Sequence, residues 1–342
     1  MTSHAQFASL GTGAGRKPRA VLCMDARLRD AVFPADLRRQ LAESAELTVV
    51  EDFRESAALA GADVLLTSWG APLIDDRVLD RAPGVRAVLH AAGSVKDVVG
   101  PAVFRRDILV SSAAEEMAEP VAAVAYSFIT LAAKKALRLQ DLYRRGIVAD
   151  RHARPDVGFG AKTIGIVGAS RIGRAVIRRL VADGREVVLY DPYCTPEAAA
   201  LLGAEHLDDL DEVCRRSQIL SLHAPILPST VHMINAARLR LLPDGAAVIN
   251  TARGRLLDTE ALLAECVSGR LEAYLDVTDP EPLPAGHRLH HLSNVLLTPH
   301  VAGTEGADLH ITGRFAAEEL RRLAAGLPLR GLVSAQQLTQ LA

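Results

Sequence analysis

Apolar and polar positions follow one another along this chain in two rhythms. Short runs rich in Val, Leu, Ile and Ala, bounded by Gly, Pro, Ser or Asp, predict strands. Longer segments with apolar residues three and four apart predict helices. Ala20–Met24, Leu47–Val50, Ala62–Thr67, Val85–His90 and Asp107–Ser111 read as strands, with helices over Pro34–Glu43, Ser56–Ala60 and Asp75–Asp80 between them. Repeated strand–helix units predict a parallel sheet covered by helices. Glu115–Leu139 reads as one long helix, apolar over more than one face, with Pro120 in its first turn where no N–H partner is lost. Such a helix is buried within one subunit or between two. Arg138–Gly160 is polar, with Gly and Pro, and reads as a connector.

A second strand–helix series begins at Thr163. An apolar run, Thr163-Ile-Gly-Ile-Val, enters a turn from Gly168 to Gly173, with Ser170, Arg171 and Ile172 inside it. A helical segment follows with Ile172, Val176, Ile177 and Leu180 on one face, Gly184 ends it, and a second apolar run closes on Asp191. A helix N-terminus offers unpaired N–H groups and the positive end of the helix dipole, so this unit suits a pyrophosphate. Gly168 makes the tight turn and Gly173 lets the helix pack closely on the strand. Asp191 stands near the ~20-residue spacing at which an acid accepts hydrogen bonds from an adenosine ribose and repels a 2′-phosphate, which favours NAD over NADP. Ser170 departs from the Gly-x-Gly-x-x-Gly pattern. Its Cβ crowds the approach of the pyrophosphate, while its hydroxyl is able to donate to a phosphate oxygen. The series continues with helices over Leu207–Arg216, Ala237–Leu242, Thr259–Ser268 and Ile311–Ala325, and strands over Ile219–His223, Ala246–Asn250, Leu271–Val277 and Val295–Leu297. The first series has no such glycine turn, so the nucleotide domain is the second.

Composition narrows the classes. At 342 residues and 49% hydrophobic, the chain is long and apolar enough for two buried cores, which Ala, Val and Leu must fill because aromatics are only 4%. A net charge of −2 with dispersed arginines points away from a nucleic-acid surface. Cys23, Cys194, Cys214 and Cys266 lie far apart and form no metal or disulfide pattern, which fits a reduced cytoplasm. No apolar run approaches the ~20 residues of a membrane span. Residues 1–16 lack an apolar signal region and read as a disordered tail.

In an open parallel sheet, function gathers beyond the C-terminal ends of the strands. Four such ends in the second series are polar: His223-Ala-Pro225, Asn250-Thr251-Ala-Arg253-Gly254, Asp276-Val-Thr-Asp-Pro-Glu281-Pro282 and Thr298-Pro-His300-Val-Ala-Gly303. These segments resemble the D-isomer-specific 2-hydroxyacid dehydrogenase family, in particular its phosphoglycerate dehydrogenase and glyoxylate–hydroxypyruvate reductase branches. The matching stretches are Gly165–Arg174, Ser221–Pro225 with Thr230 and Asn235, Ile249–Asp258, Leu275–Pro282 and Leu297–Gly303. The first part of the chain matches more weakly, in architecture and in the Ala92-Gly93-Ser94-Val95 turn.

The resemblance implies two doubly wound parallel-sheet domains, with a Rossmann NAD-binding domain (113–302) inserted into a flavodoxin-like substrate domain (17–112 and 303–342). It implies a homodimer formed through the nucleotide domain, and a 2-hydroxy or 2-oxo acid as the small-molecule partner, bound in an interdomain cleft. It also implies roles. Arg253 has the planar guanidinium suited to carboxylate and carbonyl oxygens, and the N–H groups of Gly93, Ser94 and Val95 would hold the other end of the substrate carboxylate. His300 is the proton donor in reduction and the base in oxidation, and Glu281 beside it would favour the imidazolium. Gly168, Ser170, Arg171, Ile172, Gly173, Asp191, His223, Pro225, Thr230 and Thr251 fall on the cofactor side, and Asp276 would meet the nicotinamide end. No metal is needed, because Arg253 and His300 supply the positive charge. His287, His290 and His291 read as a solvated loop cluster without a matching acid, and Trp69 either lines the pocket or simply packs. Departures from the family pattern at Ala113–Pro120, at Thr278 and at Val95–Lys96 mark a cleft of its own kind, which leaves the particular hydroxy acid open. A non-catalytic NAD-sensing protein on the same fold is the alternative reading.

Overall fold

The computed structural model describes residues 16–147, 156–160 and 162–338. The expected disordered tail lies outside these residues except for Arg16, which pairs with Asp63 at 2.9 Å. The described chain forms two compact units. One runs to Met117 and resumes at Thr304, and the other spans Ala118–Gly303.

The first unit is built on β1 (Arg19–Cys23), β2 (Glu46–Val50), β3 (Val64–Thr67), β4 (Ala87–His90) and β5 (Leu109–Ser112), in the order β2-β1-β3-β4-β5. Every pairing is parallel, and the order is that of a flavodoxin-like sheet. The period-2 alternation of a strand divides the side chains between two cores. Ala20, Leu22 and Met24 face Leu41, Leu320 and Leu323. Val21 and Cys23 face Val78, Leu79 and Val103. The fully buried carboxylate of Glu319 accepts from the Arg330 and Gly331 amides and from the Ser111 hydroxyl, tying the helix His310–Ala324 to β5.

The second unit is a seven-stranded parallel sheet. Its strands are β6 (Ile164–Val167), β7 (Val187–Tyr190), β8 (Glu205–His206), β9 (Ile219–Leu222), β10 (Ala247–Asn250), β11 (Glu272–Leu275) and β12 (Val295–Leu297), in the order β12-β11-β10-β9-β6-β7-β8. The order reverses between β6 and β9, the switch point at which an open α/β sheet leaves a crevice above its strand ends.

The structure corrects several expected elements. The single helix over Glu115–Leu139 is two helices, Ala118–Ala133 and Ala136–Arg144, bent by 56°. The break is at Lys135, whose φ of +53° is left-handed. That conformation sends its ammonium inward to the Gly245 carbonyl and to within 3.5 Å of the Glu272 carboxylate. No Gly or Pro marks the break, so the apolar pattern runs through it unaltered. The polar stretch from Arg138 is therefore helical as far as Arg144 rather than a plain connector. The helix expected over Ser56–Ala60 is a pair of 3-10 turns, Phe53–Glu55 and Ala57–Gly61. Helices Arg29–Val32, Pro101–Arg105 and Pro196–Leu201 and strand β8 are too short to set a periodicity. Among the described residues, no single helix is long and apolar enough to cross a membrane.

Candidate active site

The site is assembled from loops at the C-terminal ends of the second unit's strands. After β6 the chain turns at Gly168 and enters the helix Arg171–Ala182. Ser170 is the N-cap of that helix, its hydroxyl oxygen accepting from the Gly173 amide at 3.2 Å. The cap uses the oxygen and leaves the hydroxyl proton to donate elsewhere. A Cβ at Gly173 would overlap the Gly168 carbonyl oxygen, so the close approach is to the turn itself more than to the strand. Arg171 and Ile172 open the helix half-buried. Asp191, just after β7, accepts from the Ala169 amide at 2.6 Å and from the Tyr193 amide at 2.8 Å, which binds this acid to the glycine turn.

Two buried polar atoms at neighbouring strand ends have no hydrogen-bond partner among the described residues. They are Nδ1 of His223, just beyond β9, and Oγ1 of Thr251, just beyond β10. The other ring nitrogen of His223, Nε2, lies 2.9 Å from the Ser221 hydroxyl, and burial pushes the imidazole down to about 4, so it is neutral at pH 7. A buried polar group left unpaired costs about 1–3 kcal/mol. Unpaired atoms on two adjacent central strands, beside a capped glycine turn at the switch point, fit a dinucleotide that supplies their partners. Thr230 is turned differently. Its hydroxyl donates to the Pro225 carbonyl at 2.7 Å and accepts from the Leu227 amide at 2.8 Å, so it shapes the loop after Pro225.

Arg253 follows β10 on a loop fixed by Asn250, whose side chain donates to the Arg253 carbonyl and accepts from the Ala252 amide. A Cβ at Gly254 would overlap the Thr278 carbonyl, and this close packing brings the Arg253 loop against the loop that carries Glu281. Burial pulls the Arg253 guanidinium below its ordinary value, and the nearby Glu281 carboxylate opposes that shift.

Asp276 organises the remaining chemistry. It is 1% exposed and stands just after β11. One carboxylate oxygen accepts from the Thr298 hydroxyl at 2.6 Å and from the Val301 amide at 2.9 Å, and the other accepts from the Ala302 amide at 2.9 Å. Its carbonyl accepts from the His300 amide at 2.8 Å. These bonds hold His300 at φ +57°, a left-handed conformation that a non-glycine residue keeps only when its surroundings over-determine it. Held in this way, His300 places Nδ1 2.5 Å from Oε1 of Glu281, with both side chains roughly half exposed. The Asp276 carboxylate is thus occupied by the 298–302 loop. This structural duty, and the role of Thr298 in it, are invisible in the sequence because they depend on a contact between two strand ends.

A pocket of about 420 Å³ opens beside the Glu281–His300 pair, with Leu283, His290, Leu297 and Pro299 among its walls. Of the expected solvated histidines, His290 reaches this pocket and His287 has an acid within 3.4 Å, Glu260. Trp69 is partly buried against the core of the first unit. The turn Gly93-Ser94-Val95 follows β4 of that unit, with Val95 fully buried as its anchor. Burial pushes the Cys23 thiol up to about 11 and those of Cys214 and Cys266 up to about 12, which removes them as nucleophiles at neutral pH.

Residues 126–302 match the NAD-binding domain of the D-isomer specific 2-hydroxyacid dehydrogenases. The chain is 30% identical over 280 residues to D-3-phosphoglycerate dehydrogenase of Methanocaldococcus jannaschii, covering 82% of this chain and 53% of that protein. It therefore spans about half the length of the phosphoglycerate dehydrogenases it resembles. It is also 30% identical over 292 residues to glyoxylate reductase of Korarchaeum cryptofilum, covering 84% of this chain and 86% of that one. A phosphoglycerate oxidoreductase from Rhizobium etli shares the fold, with a TM-score of 0.82 over 94% of this chain and 99% of its own at 23% identity. With the glycine turn, the strand-end residues and these matches taken together, the chain belongs to the D-isomer specific 2-hydroxyacid dehydrogenase family.

Proposed function

We propose that this protein interconverts a D-2-hydroxy acid and the corresponding 2-oxo acid with NAD(H). The observation that carries the reading is the His300–Glu281 pair, 2.5 Å apart, held in a strained loop by Asp276 and accompanied by the partly buried Arg253. A strained imidazole beside a carboxylate, at a strand end, is costly as mere structure and useful as an acid–base group.

Bound nicotinamide would supply or accept the hydride at the C2 carbon. Arg253 would bind the carbonyl and carboxylate oxygens through its guanidinium, and the Gly93, Ser94 and Val95 amides would take the rest of the carboxylate. With Nδ1 facing Glu281, His300 has Nε2 for the substrate oxygen. It donates a proton there in reduction and removes one in oxidation. Glu281 fixes the ring orientation and balances the charge of the imidazolium. His223 and Thr251 would satisfy their buried polar atoms on the cofactor, and Gly168 to Gly173 with Ser170 would carry the pyrophosphate. Arg171, Ile172, Asp191, Pro225 and Thr230 complete that side, with Asp191 selecting NAD over NADP. The unit of β1–β5 serves as the substrate domain, and homodimerisation, through the unit of β6–β12, belongs to the same reading, as does a cytoplasmic location.

The test is NADH oxidation against a panel of 2-oxo acids, with NADH binding measured in parallel. Turnover on at least one member is expected. NADH binding without turnover on any would favour an NAD-sensing protein instead.

A further inference from the structure

Ser221 and His223 stand two residues apart at the end of β9, so in the extended chain their side chains point to the same face. Both are buried, Ser221 completely, and the Ser221 hydroxyl lies 2.9 Å from Nε2 of the ring. Burial keeps that ring neutral at pH 7, so one of its nitrogens carries a proton and the other accepts. The two placements of the proton differ in what they leave unpaired. With the proton on Nε2, the ring donates to Ser221. The serine proton then has no acceptor among the described residues, and Nδ1 has no donor. With the proton on Nδ1, Ser221 donates to Nε2, and a single buried group, the Nδ1–H, is left over. Unpaired buried groups are costly, so the second arrangement is the stable one.

His223 is also rooted at the glycine turn. Its amide donates to the Val167 carbonyl at 2.7 Å. A Cβ built on Gly168 would come within 2.8 Å of the His223 carbonyl carbon, and one built on Gly173 within 3.3 Å of the His223 Cβ. That turn leads into the helix Arg171–Ala182, whose unpaired N-terminal amides and dipole favour a ligand rich in acceptor oxygens. We infer that Ser221 is a positioning residue for the cofactor: by donating to Nε2 it fixes the proton of His223 on Nδ1, and so gives the dinucleotide a neutral, buried donor for one of its oxygens. The identity of the ligand rests on the function proposed above, whereas the location of the proton does not.

The proton is read directly by NMR on the full chain carrying ¹⁵N-labelled histidine, at pH 7 and without NADH. Long-range proton–nitrogen correlations distinguish the two ring nitrogens, and the His223 signals are those lost in His223→Gln. The wild-type ring should show Nδ1 protonated and Nε2 bare. Ser221→Ala should move the proton toward Nε2 and raise the NADH Kd about five- to tenfold. Ser221→Thr, which keeps the hydroxyl, should keep the proton on Nδ1 and hold the NADH Kd within about threefold of wild type. A wild-type ring protonated on Nε2 would overturn the inference before any variant is made. So would a Ser221→Ala protein with an unchanged tautomer and an unchanged NADH Kd, even if its Tm falls, since that is the signature of packing alone. Wild type that binds no NADH would defeat the proposed function, and with it the assignment of this donor to the dinucleotide, whatever the tautomer.

Discussion

The two units treat the ends of their strands differently. In the unit of β1–β5, the polar side chains at the strand ends satisfy one another: Thr67 pairs with His90, Ser68 with the Ala91 carbonyl, and Ser111 with Glu319. In the unit of β6–β12, His223 and Thr251 keep buried atoms unpaired, and Glu281 and His300 face outward from a strained loop. Both sheets are parallel with buried apolar central strands, so fold class alone does not account for the contrast. A protein gains stability by pairing buried polar groups, and leaves them unpaired where a ligand supplies the partner. The difference sets the strand ends of the first unit, which satisfy one another, apart from those of the second, which offer buried atoms to a ligand; Thr304, outside the strand ends, is a buried hydroxyl of the first unit without a partner among the described residues.

The strongest way to break this comparison is to remove one polar group from each unit. Arg253→Ala should lower kcat/KM for the 2-oxo acid on the order of 10²–10³-fold while NADH Kd stays within about threefold. Ser111→Ala, which strips a donor from the buried Glu319, should lower stability by about 1–3 kcal/mol and leave kcat/KM within about threefold. Steady-state kinetics and urea denaturation of both variants decide the matter. Equal kinetic damage in the two would erase the distinction between scaffold and site.

Acid provides a test that treats the units alike. His90 and His223, one in each unit, both sit near 4 when folded against an ordinary 6.5. Between those values the unfolded chain binds protons that the folded chain refuses, so stability must rise with pH there. It should be level above about pH 7.5, fall as pH drops through 6.5, and level off below about 4, with up to about 3 kcal/mol lost for each histidine. Urea unfolding across pH 4–8 should show this slope, and His223→Gln should remove roughly half of the histidine contribution. A wild-type stability that is flat between pH 7 and 5 would contradict the burial argument.

Two further substitutions sharpen the cofactor side. Asp191→Ala should shift the ratio of kcat/KM for NADH to that for NADPH by about tenfold or more toward NADPH. It should also cost about 1–2 kcal/mol, because the Ala169 and Tyr193 amides lose their acceptor. An unchanged coenzyme ratio would remove the ribose assignment. Thr251→Val should act in opposite directions on the two states. It removes an unsatisfied buried hydroxyl, so the protein without NADH should be as stable as wild type or more so, while NADH affinity falls about tenfold. Thermal melts with and without NADH read both effects, and a parallel loss in the two would mean that Thr251 already has a partner in the folded chain.

The glycine turn, the closing acid and the polar strand ends were legible because each is a local pattern: residues close in sequence carry out a task that their own backbone geometry defines. Elements that depend on distant contacts were not. The break at Lys135 answers to Gly245 and Glu272, which lie more than a hundred residues further on, and the helical pattern passes over it without a mark. The cofactor-facing role of Asp276 came from the family resemblance, whereas its hold on Thr298, Val301 and Ala302 comes from the pairing of β11 with β12. Ser170 looked like a flaw in a glycine motif. In the structure its oxygen caps the helix, a use that Gly at the same position would not provide.

The central claim, that His300 is the acid–base group of a hydride-transfer site, meets its most direct test in one comparison. NADH oxidation by wild type and His300→Ala is followed with the best 2-oxo acid of the panel, with NADH binding measured on the same samples. The account predicts that kcat falls about 10²–10⁴-fold in the variant while NADH Kd stays within about threefold. A His300→Ala protein that binds NADH and keeps its kcat would contradict it.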